Sequence, residues 1–265
     1  MYLCSMRGSV ILQDLSIGYT IKGEKKTVAR RLNATICSGE LTCLLGRNGI
    51  GKSTLLRTLS AFLPALDGDV LLQGKSLTTY SDQERSQLIG VVLTEKPHVR
   101  NMTVDEMVAM GRAPYTGFWG MMSKDDQRIV DESIQLVGIE SLRQRLVQSL
   151  SDGERQKVMI AKALAQQTPI IYLDEPTAFL DYPSKVELLQ LLRRLAHDEQ
   201  KTIFLSTHDV EISLQLADTL WLMTTEQLHV GTPRQLATGG VLSRFIESDG
   251  IVFDNNSLTL RVVKT

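Results

Sequence analysis

The sequence has no excess charge of either sign: 29 Lys and Arg stand against 30 Asp and Glu in 265 residues, a formal net charge of -1. A nucleic-acid partner ordinarily leaves a basic excess or a basic stripe, and this balance gives no such signal, so no nucleic-acid partner is expected. Cysteine is scarce. Cys4, Cys37 and Cys43 are an odd number, and none is spaced as the Cys-x-x-Cys pair of metal and redox sites, which leaves them as reduced packing residues. No stretch approaches the roughly 20 consecutive apolar residues that span a bilayer. The start of the chain lacks a basic segment followed by a long apolar run, so a cytosolic protein is expected. Repeats, low-complexity tracts and long linkers are absent too. At this length the chain can bury a substantial core without a metal or a disulfide.

What is present is an alternation of short apolar, β-rich runs with longer helical patterns. The strand candidates are residues 10–17, 41–45, 70–72, 89–93, 170–173, 203–205 and 220–223, which predicts an α/β fold with a largely parallel sheet covered by helices. The interval from about 102 to 166 differs, with helical patterns at 104–110, 124–137 and 153–166 and no convincing strand. It reads as a helical subdomain inserted between strands, about 95–168 in a main domain of 1–250. The segment 251–263 reads as two short strands around an Asn-Asn turn, a small C-terminal β appendage over 251–265.

A phosphate-binding pattern follows the second strand candidate. Gly46-Arg-Asn-Gly-Ile-Gly-Lys-Ser-Thr54 lies between the apolar run 41–45 and a helical run at 55–61, the strand–loop–helix context in which G-x-x-x-x-G-K-S cradles phosphates. Gly46, Gly49 and Gly51 allow tight turns, so the backbone of Arg47, Asn48 and their neighbours through Thr54 points N–H groups at phosphate oxygens. Lys52 reaches the β- and γ-phosphates. Ser53 offers a hydroxyl to Mg²⁺, whose other ligands are phosphate oxygens, water and a distant carboxylate.

The run Ile170-Ile-Tyr-Leu-Asp-Glu-Pro-Thr177 ends in adjacent acids, which strand alternation points in different directions. Asp174 is suited to orient Mg²⁺ or its water, and Glu175 to polarise a water attacking the γ-phosphate. His208, in Ser206-Thr-His-Asp209, follows another strand, at the edge where open α/β sheets gather ligands. It is expected to contact the γ-phosphate, joining Glu175 and Lys52 as the catalytic group.

Leu150-Ser-Asp-Gly-Glu-Arg-Gln156 opens a helical run about twenty residues before Asp174. Together with the phosphate loop and the acidic strand it resembles the signature of ABC ATPases. Taken alone, Ser-Asp-Gly-Glu also fits an ordinary helix cap. The resemblance implies a P-loop NTPase of ABC ATPase type, with a mainly parallel core sheet, an N-terminal antiparallel β part and the inserted helical subdomain. It also implies that two copies pack head to tail, each presenting Ser151 and Gly153 to the ATP held by the other. The family pattern is usually L-S-G-G-Q, from which Asp152 and Glu154 depart. Tyr19 resembles the aromatic that stacks on adenine, and Ala178-Phe-Leu-Asp181 resembles the loop that communicates between the two sites. Where the family has a glutamine contacting Mg²⁺, this chain has Val92-Leu-Thr-Glu-Lys96; Thr94 falls at that position, with Glu95 as a partial substitute.

Met102-Thr-Val-Asp-Glu-Met-Val-Ala-Met-Gly-Arg-Ala-Pro-Tyr115 resembles a segment of the ATPases of iron–siderophore, haem and cobalamin importers. The C-terminal Gly250-Ile-Val-Phe-Asp254 is similar to theirs as well. The likeness implies an ATP-hydrolysing subunit at the cytoplasmic face of the inner membrane. It would work with polytopic permease subunits and, indirectly, with an extracytoplasmic substrate-binding protein. A soluble ABC ATPase without a membrane partner, or the ATPase of another importer or of an exporter, is the competing reading. The same segment also reads as an amphipathic helix, with Val104, Met107, Val108 and Met110 turned inward, ending in a Gly-Arg cap. The surface from Thr94 to Tyr115, including Pro97, Met102 and Val104, is the expected contact for a short helix of the permease.

Overall fold

The computed structural model describes residues 10–94, 99–117, 120–247 and 250–263. A long hairpin, β1 (Val10–Ile21) and β2 (Glu24–Ile36), opens the fold, followed by β3 (Leu41–Gly46), α1 (Lys52–Leu59), β4 (Asp67–Leu72) and β5 (Lys75–Ser76). Next come α2 (Asp82–Leu88) and β6 (Ile89–Val92). Three helices then follow: α3 (Val104–Ala109), α4 (Lys124–Leu136) and α5 (Asp152–Ala165). Alternation resumes with β7 (Ile170–Asp174), α6 (Tyr182–His197), β8 (Thr202–Thr207), α7 (Val210–Leu216) and β9 (Thr219–Met223). The chain closes with β10 (Leu228–Gly231), α8 (Pro233–Thr238), α9 (Val241–Ile246), β11 (Ile251–Asp254) and β12 (Thr259–Val262).

The central sheet runs β10-β9-β3-β8-β7-β6. Its last five strands are mutually parallel, and β10 is antiparallel at the edge. A second, antiparallel sheet runs β2-β1-β4-β5. Parallel strands covered on both faces read as continuous apolar runs, which is why β3, β7, β8 and β9 stand out in the sequence. Side-chain alternation then divides each strand between two cores. Cys43, Leu45, Ile171, Leu173, Leu205 and Leu222 join Val158 and Ala161 of α5 and Leu188 and Leu192 of α6. Leu44, Tyr172, Phe204 and Trp221 join Leu55 and Leu59 of α1 and Leu12, Leu15 and Ile17 of the antiparallel sheet. The helix that follows the phosphate loop is therefore held in a core shared by both sheets.

Cys43 is buried, and desolvation pushes its thiol up to about 12, which suits a packing residue. Cys37 is half-buried; Cys4 lies outside the described residues. Between Val92 and Ile170, α3, α4 and α5 pack on one another around Met107, Val108, Val130, Ile134 and Ile160. Met110 does not turn inward as expected: it is 46% exposed. α3 ends at Ala109, and the chain passes into a 3₁₀ turn, Met110–Arg112, rather than a Gly-Arg cap. The two expected C-terminal strands are present, joined in register from Ile251 opposite Val262 to Asp254 opposite Thr259. Phe253 on their inner face is buried in the main core.

Phe204 is fully buried between Tyr172 and Trp221, with ring centroids 6.1 and 4.9 Å away, both edge to face. Phe204→Ala should cost about 3–5 kcal/mol of unfolding free energy, since the shared core cannot collapse around the cavity. Urea denaturation measures this, and a loss under about 1 kcal/mol would contradict the packing described.

Candidate functional site

Four of the parallel strands, β3, β8, β7 and β6, deliver their carboxyl ends to one edge of the sheet. The segment after β3 turns through Gly49 at φ 77° and Gly51 at φ 116°, where a side chain would be strained. A Cβ on Gly51 would also come within 2.3 Å of Val28 of β2. Arg47 and Asn48 sit exposed at the tip of the loop. Lys52 is 5% exposed. Its Nζ donates to the carbonyls of Gly46 at 3.0 Å and Arg47 at 3.4 Å and stands 3.9 Å from Glu175 Oε1. Burial lowers its pKa, while the carboxylates of Glu175 and Asp174 act to raise it. The ammonium is thus held over the loop by weak carbonyl contacts that phosphate oxygens can replace with charge-assisted ones. On the far side, Thr54 is buried and shares a 2.8 Å hydrogen bond with the Tyr19 phenol.

Ser53 of α1 donates its hydroxyl to Asp174 Oδ1 at 3.1 Å, and Ser206 of β8 donates to the same oxygen at 2.7 Å. Thr94, beyond the end of β6, donates to the Asp174 carbonyl at 2.6 Å, so its hydroxyl proton is already committed to the backbone of the acidic strand. Glu95 and Pro97 lie outside the described residues. Glu175 is not a continuation of the strand. Its φ is 48°, in the left-handed region, and its N–H donates to the Ser206 carbonyl at 3.1 Å and hydroxyl at 3.0 Å. This turn sends its carboxylate to His208 Nε2, 2.5 Å away, and toward Lys52. Sequence reading separates Asp174 from Glu175 by strand alternation; in the structure a backbone turn separates them.

Two residues that sequence reading passed over brace this arrangement. Ser206 touches both acids. Asp209 accepts from Thr177 Oγ1 at 2.5 Å and Lys185 Nζ at 2.6 Å, tying the segment after Glu175 and the start of α6 to the His208 turn. Both stand in the quoted Ser-Thr-His-Asp run, but their partners lie tens of residues away and become visible only through the pairing of β7 with β8.

Ser151 caps α5: its hydroxyl accepts from the Glu154 N–H at 3.3 Å, and the Glu154 carboxylate accepts from the Ser151 N–H at 2.9 Å. The acids that depart from the family pattern are both compensated. Asp152 pairs with Arg155 at 2.6 Å, and Glu154 also pairs with Arg145 at 3.1 Å. A Cβ on Gly153 would meet Leu180 at 3.7 Å, which places the start of α5 beside the 178–181 loop. In that loop Phe179 is 77% exposed with φ 67°. Asp181 caps α6, accepting from the Ser184 N–H at 3.0 Å, and these bonds to Ser184 lower its pKa. No hydrogen bond among the described residues joins Ser151, Gly153 or Asp181 to the phosphate loop.

This edge, with a phosphate loop, a hydroxyl–carboxylate pair and a carboxylate–histidine pair, is that of a nucleotide-hydrolysing P-loop protein. The sequence matches the ABC transporter family over residues 29–178. It is 40% identical to an uncharacterised ABC transporter ATP-binding protein of Methanocaldococcus jannaschii, over 82% of this chain and 73% of that protein. It is 34% identical to the ferric enterobactin transport ATP-binding protein of Escherichia coli, over 92% of this chain and 89% of that one. Among solved structures, cbiO1 of Clostridium perfringens, part of an ABC transporter complex, superposes with a TM-score of 0.77 at 27% identity, covering 89% of this chain and 92% of that one. A dimeric ATP-binding cassette in a post-hydrolysis state with ADP and Pi bound gives 0.73 at 25% identity, covering 84% and 98%. The chain belongs to the ABC transporter family. It is an ATP-binding protein and an ATPase of that family, with the mixed-sheet P-loop fold of its cassettes.

Ser206→Ala removes one of two side-chain donors to Asp174 and one of two acceptors for the Glu175 N–H. It should lower kcat for ATP about tenfold with KM within about threefold, as loss of an orienting partner does. Steady-state ATPase assays check this, and wild-type turnover would remove Ser206 from the site.

Proposed function

We propose that this chain hydrolyses ATP to drive uptake of a metal chelate through a separate membrane permease. The single observation that carries the hydrolytic part is the Glu175 carboxylate, held between His208 and Lys52 at the edge where the phosphate loop opens. Lys52 and the loop amides bind the β- and γ-phosphates, with Tyr19 beside Thr54 on the adenine side. Glu175 polarises the attacking water. His208 fixes the Glu175 carboxylate and reaches the γ-phosphate from the end of β8. Ser151 and Gly153 of a second copy, with Asp181 near the two-fold contact, complete the site from the other side.

The residues present also fit Mg²⁺. Among the described residues no cluster of three or more His, Cys, Asp or Glu makes an all-protein cage. Ser53 and Asp174 instead converge as one hydroxyl and one carboxylate, a donor set suited to a cation that brings phosphate and water ligands with it. Bound there, it would neutralise charge on the phosphate oxygens. Thr94 belongs to its surroundings through the Asp174 carbonyl.

Transport is supported by the relatives. Proteins named for petrobactin import, ferric enterobactin transport and iron(3+)-hydroxamate import share 36%, 34% and 32% identity with this chain, each over more than three quarters of it. No helix among the described residues is long and apolar enough to cross a membrane. On the reading that these relatives support, the chain sits at the cytoplasmic face through its permease. The permease-facing surface needs one revision: Val104 is fully buried and Met102 packs against the core, whereas Met110 and Tyr115 are exposed.

Glu175→Gln should bind ATP with wild-type affinity and lose at least about 100-fold in turnover, because the phosphate cradle is untouched while the group acting on water is gone. Nucleotide titration beside ATPase assay decides it, and turnover near wild type would sink the role. Met110→Glu, with the permease reconstituted in vesicles, should abolish most chelate uptake while ATPase activity of the free subunit stays within about threefold, less than roughly 1 kcal/mol on the barrier. Uptake at the wild-type level would move the contact elsewhere.

A further inference from the structure

Arg112 lies in the Gly-Arg-x-Pro-Tyr segment, yet only 5% of it is exposed. Its Nε donates to Asp126 Oδ1 of α4 at 2.8 Å, and its Nη1 donates to the Ala165 carbonyl at 2.8 Å and to Gln167 Oε1 at 3.0 Å. Ala165 is the last residue of α5. The Tyr115 ring lies 4.1 Å from the guanidinium, and its hydroxyl donates to the Gln166 carbonyl at 3.0 Å. Gly111 permits the approach, since a Cβ there would meet the Lys162 carbonyl at 2.3 Å. Gln166 in turn donates to the Ile89 carbonyl at 3.2 Å. The C-terminal end of α5 is therefore tied to the turn after α3, to α4, and to the start of β6. The far end of β6 leads to Thr94 and the Asp174 carbonyl.

The opposite end of α5 carries Ser151. Fourteen residues of helix place the two ends about 20 Å apart, so a tilt of about 10° at Ala165 would move the Ser151 end by about 3 Å, more than a phosphate hydrogen bond tolerates. A buried ion pair is a poor source of stability, because desolvation offsets most of its attraction, and a matched apolar pair often does as well. What the forked guanidinium supplies instead is direction, with three acceptors on two helices and the segment after α5.

We propose that Arg112 is a positioning residue for ATP hydrolysis: it clamps the C-terminal end of α5 to α4 and so fixes the angle at which Ser151 is presented to the nucleotide of a second copy. This rests on the reading of Ser151 given above. The clamp acts on the shared site only, and ATP binding to the phosphate loop of one chain does not use it.

The test uses Arg112→Met combined with Asp126→Leu, which leaves no unpaired buried charge, beside Arg112→Lys, which keeps the charge but loses the fork. In the full chain the double variant should melt within a few degrees of wild type and bind ADP with unchanged affinity, while kcat falls at least about tenfold. In the Glu175→Gln background it should weaken ATP-dependent dimerisation by a similar factor, measured by light scattering, with Arg112→Lys intermediate in both assays. Wild-type kcat and dimerisation in the double variant would overturn the proposal, and so would ADP affinity falling in step with kcat, which marks general damage. Ser151→Arg in the Glu175→Gln background separates the two levels. If it blocks the ATP dimer and the double variant does not, only the clamp fails; if it dimerises normally, the reading of Ser151 fails and the clamp with it.

Discussion

Parallel strands have to end on the same edge of their sheet, and the chemistry of this chain depends on that constraint. β3, β8, β7 and β6 reach the edge with the phosphate loop, the His208 turn, the two acids and Thr94. The pairing sets Asp174 opposite Ser206 and Leu45 opposite Thr207. Because both faces of these strands are buried in different cores, a slip by one residue would exchange the two sets of apolar side chains and turn Asp174 away from Ser53. The same packing that stabilises the sheet therefore holds a hydroxyl of α1, a carboxylate of β7 and a hydroxyl of β8 within hydrogen-bonding distance. Burying α1 between the sheets also orients its first turn, where Lys52 and Ser53 stand.

Glu175 shows where a strained local conformation is held in place by its surroundings. A non-glycine residue in the left-handed region costs about 1–2 kcal/mol, and such residues persist where their surroundings hold them. Here the hold is explicit: Ser206 accepts the Glu175 N–H through both its carbonyl and its hydroxyl, while His208 takes the carboxylate. Asp209 ties the following Thr177 and the start of α6 to the same turn. Without the turn, Glu175 would continue the strand on the face opposite Asp174. With it, two adjacent carboxylates serve separate oxygen and nitrogen partners, which on the proposed reading suits separate duties toward a cation and a water.

The parallel core was legible because strands buried on both faces are apolar throughout, as in Ile170-Ile-Tyr-Leu. β2 was not, since Glu-Lys-Lys-Thr-Val-Ala-Arg-Arg is a largely exposed edge strand whose alternation is broken by irregular pairing with β1. Fixed-spacing motifs placed the phosphate loop, because loop and helix are contiguous in the chain. Ser206, Asp209 and Arg112 were read without their roles because each acts on residues 14 to 55 positions away, and only the fold supplies that distance. In Arg112 a residue that looks like a helix end on the surface proves to be a buried ion pair, a difference burial decides and local sequence does not.

The site of one copy is open to solvent: Glu175 and His208 are 28% and 42% exposed at their side chains, and electrostatic interactions facing water at that level are strongly screened. Groups arranged to stabilise a phosphoryl transition state act best where water is excluded. On the proposed reading, the surface that excludes it is the start of α5 from a second copy. The departures at Asp152 and Glu154 do not make that surface repellent, because Arg155 and Arg145 offset them and leave the helix N-terminus its attraction for an anion. A poor site in the single chain and a dry one in the closed pair would make hydrolysis conditional on closure. Closure, unlike hydrolysis in an open site, is a change of shape that a permease can be made to follow.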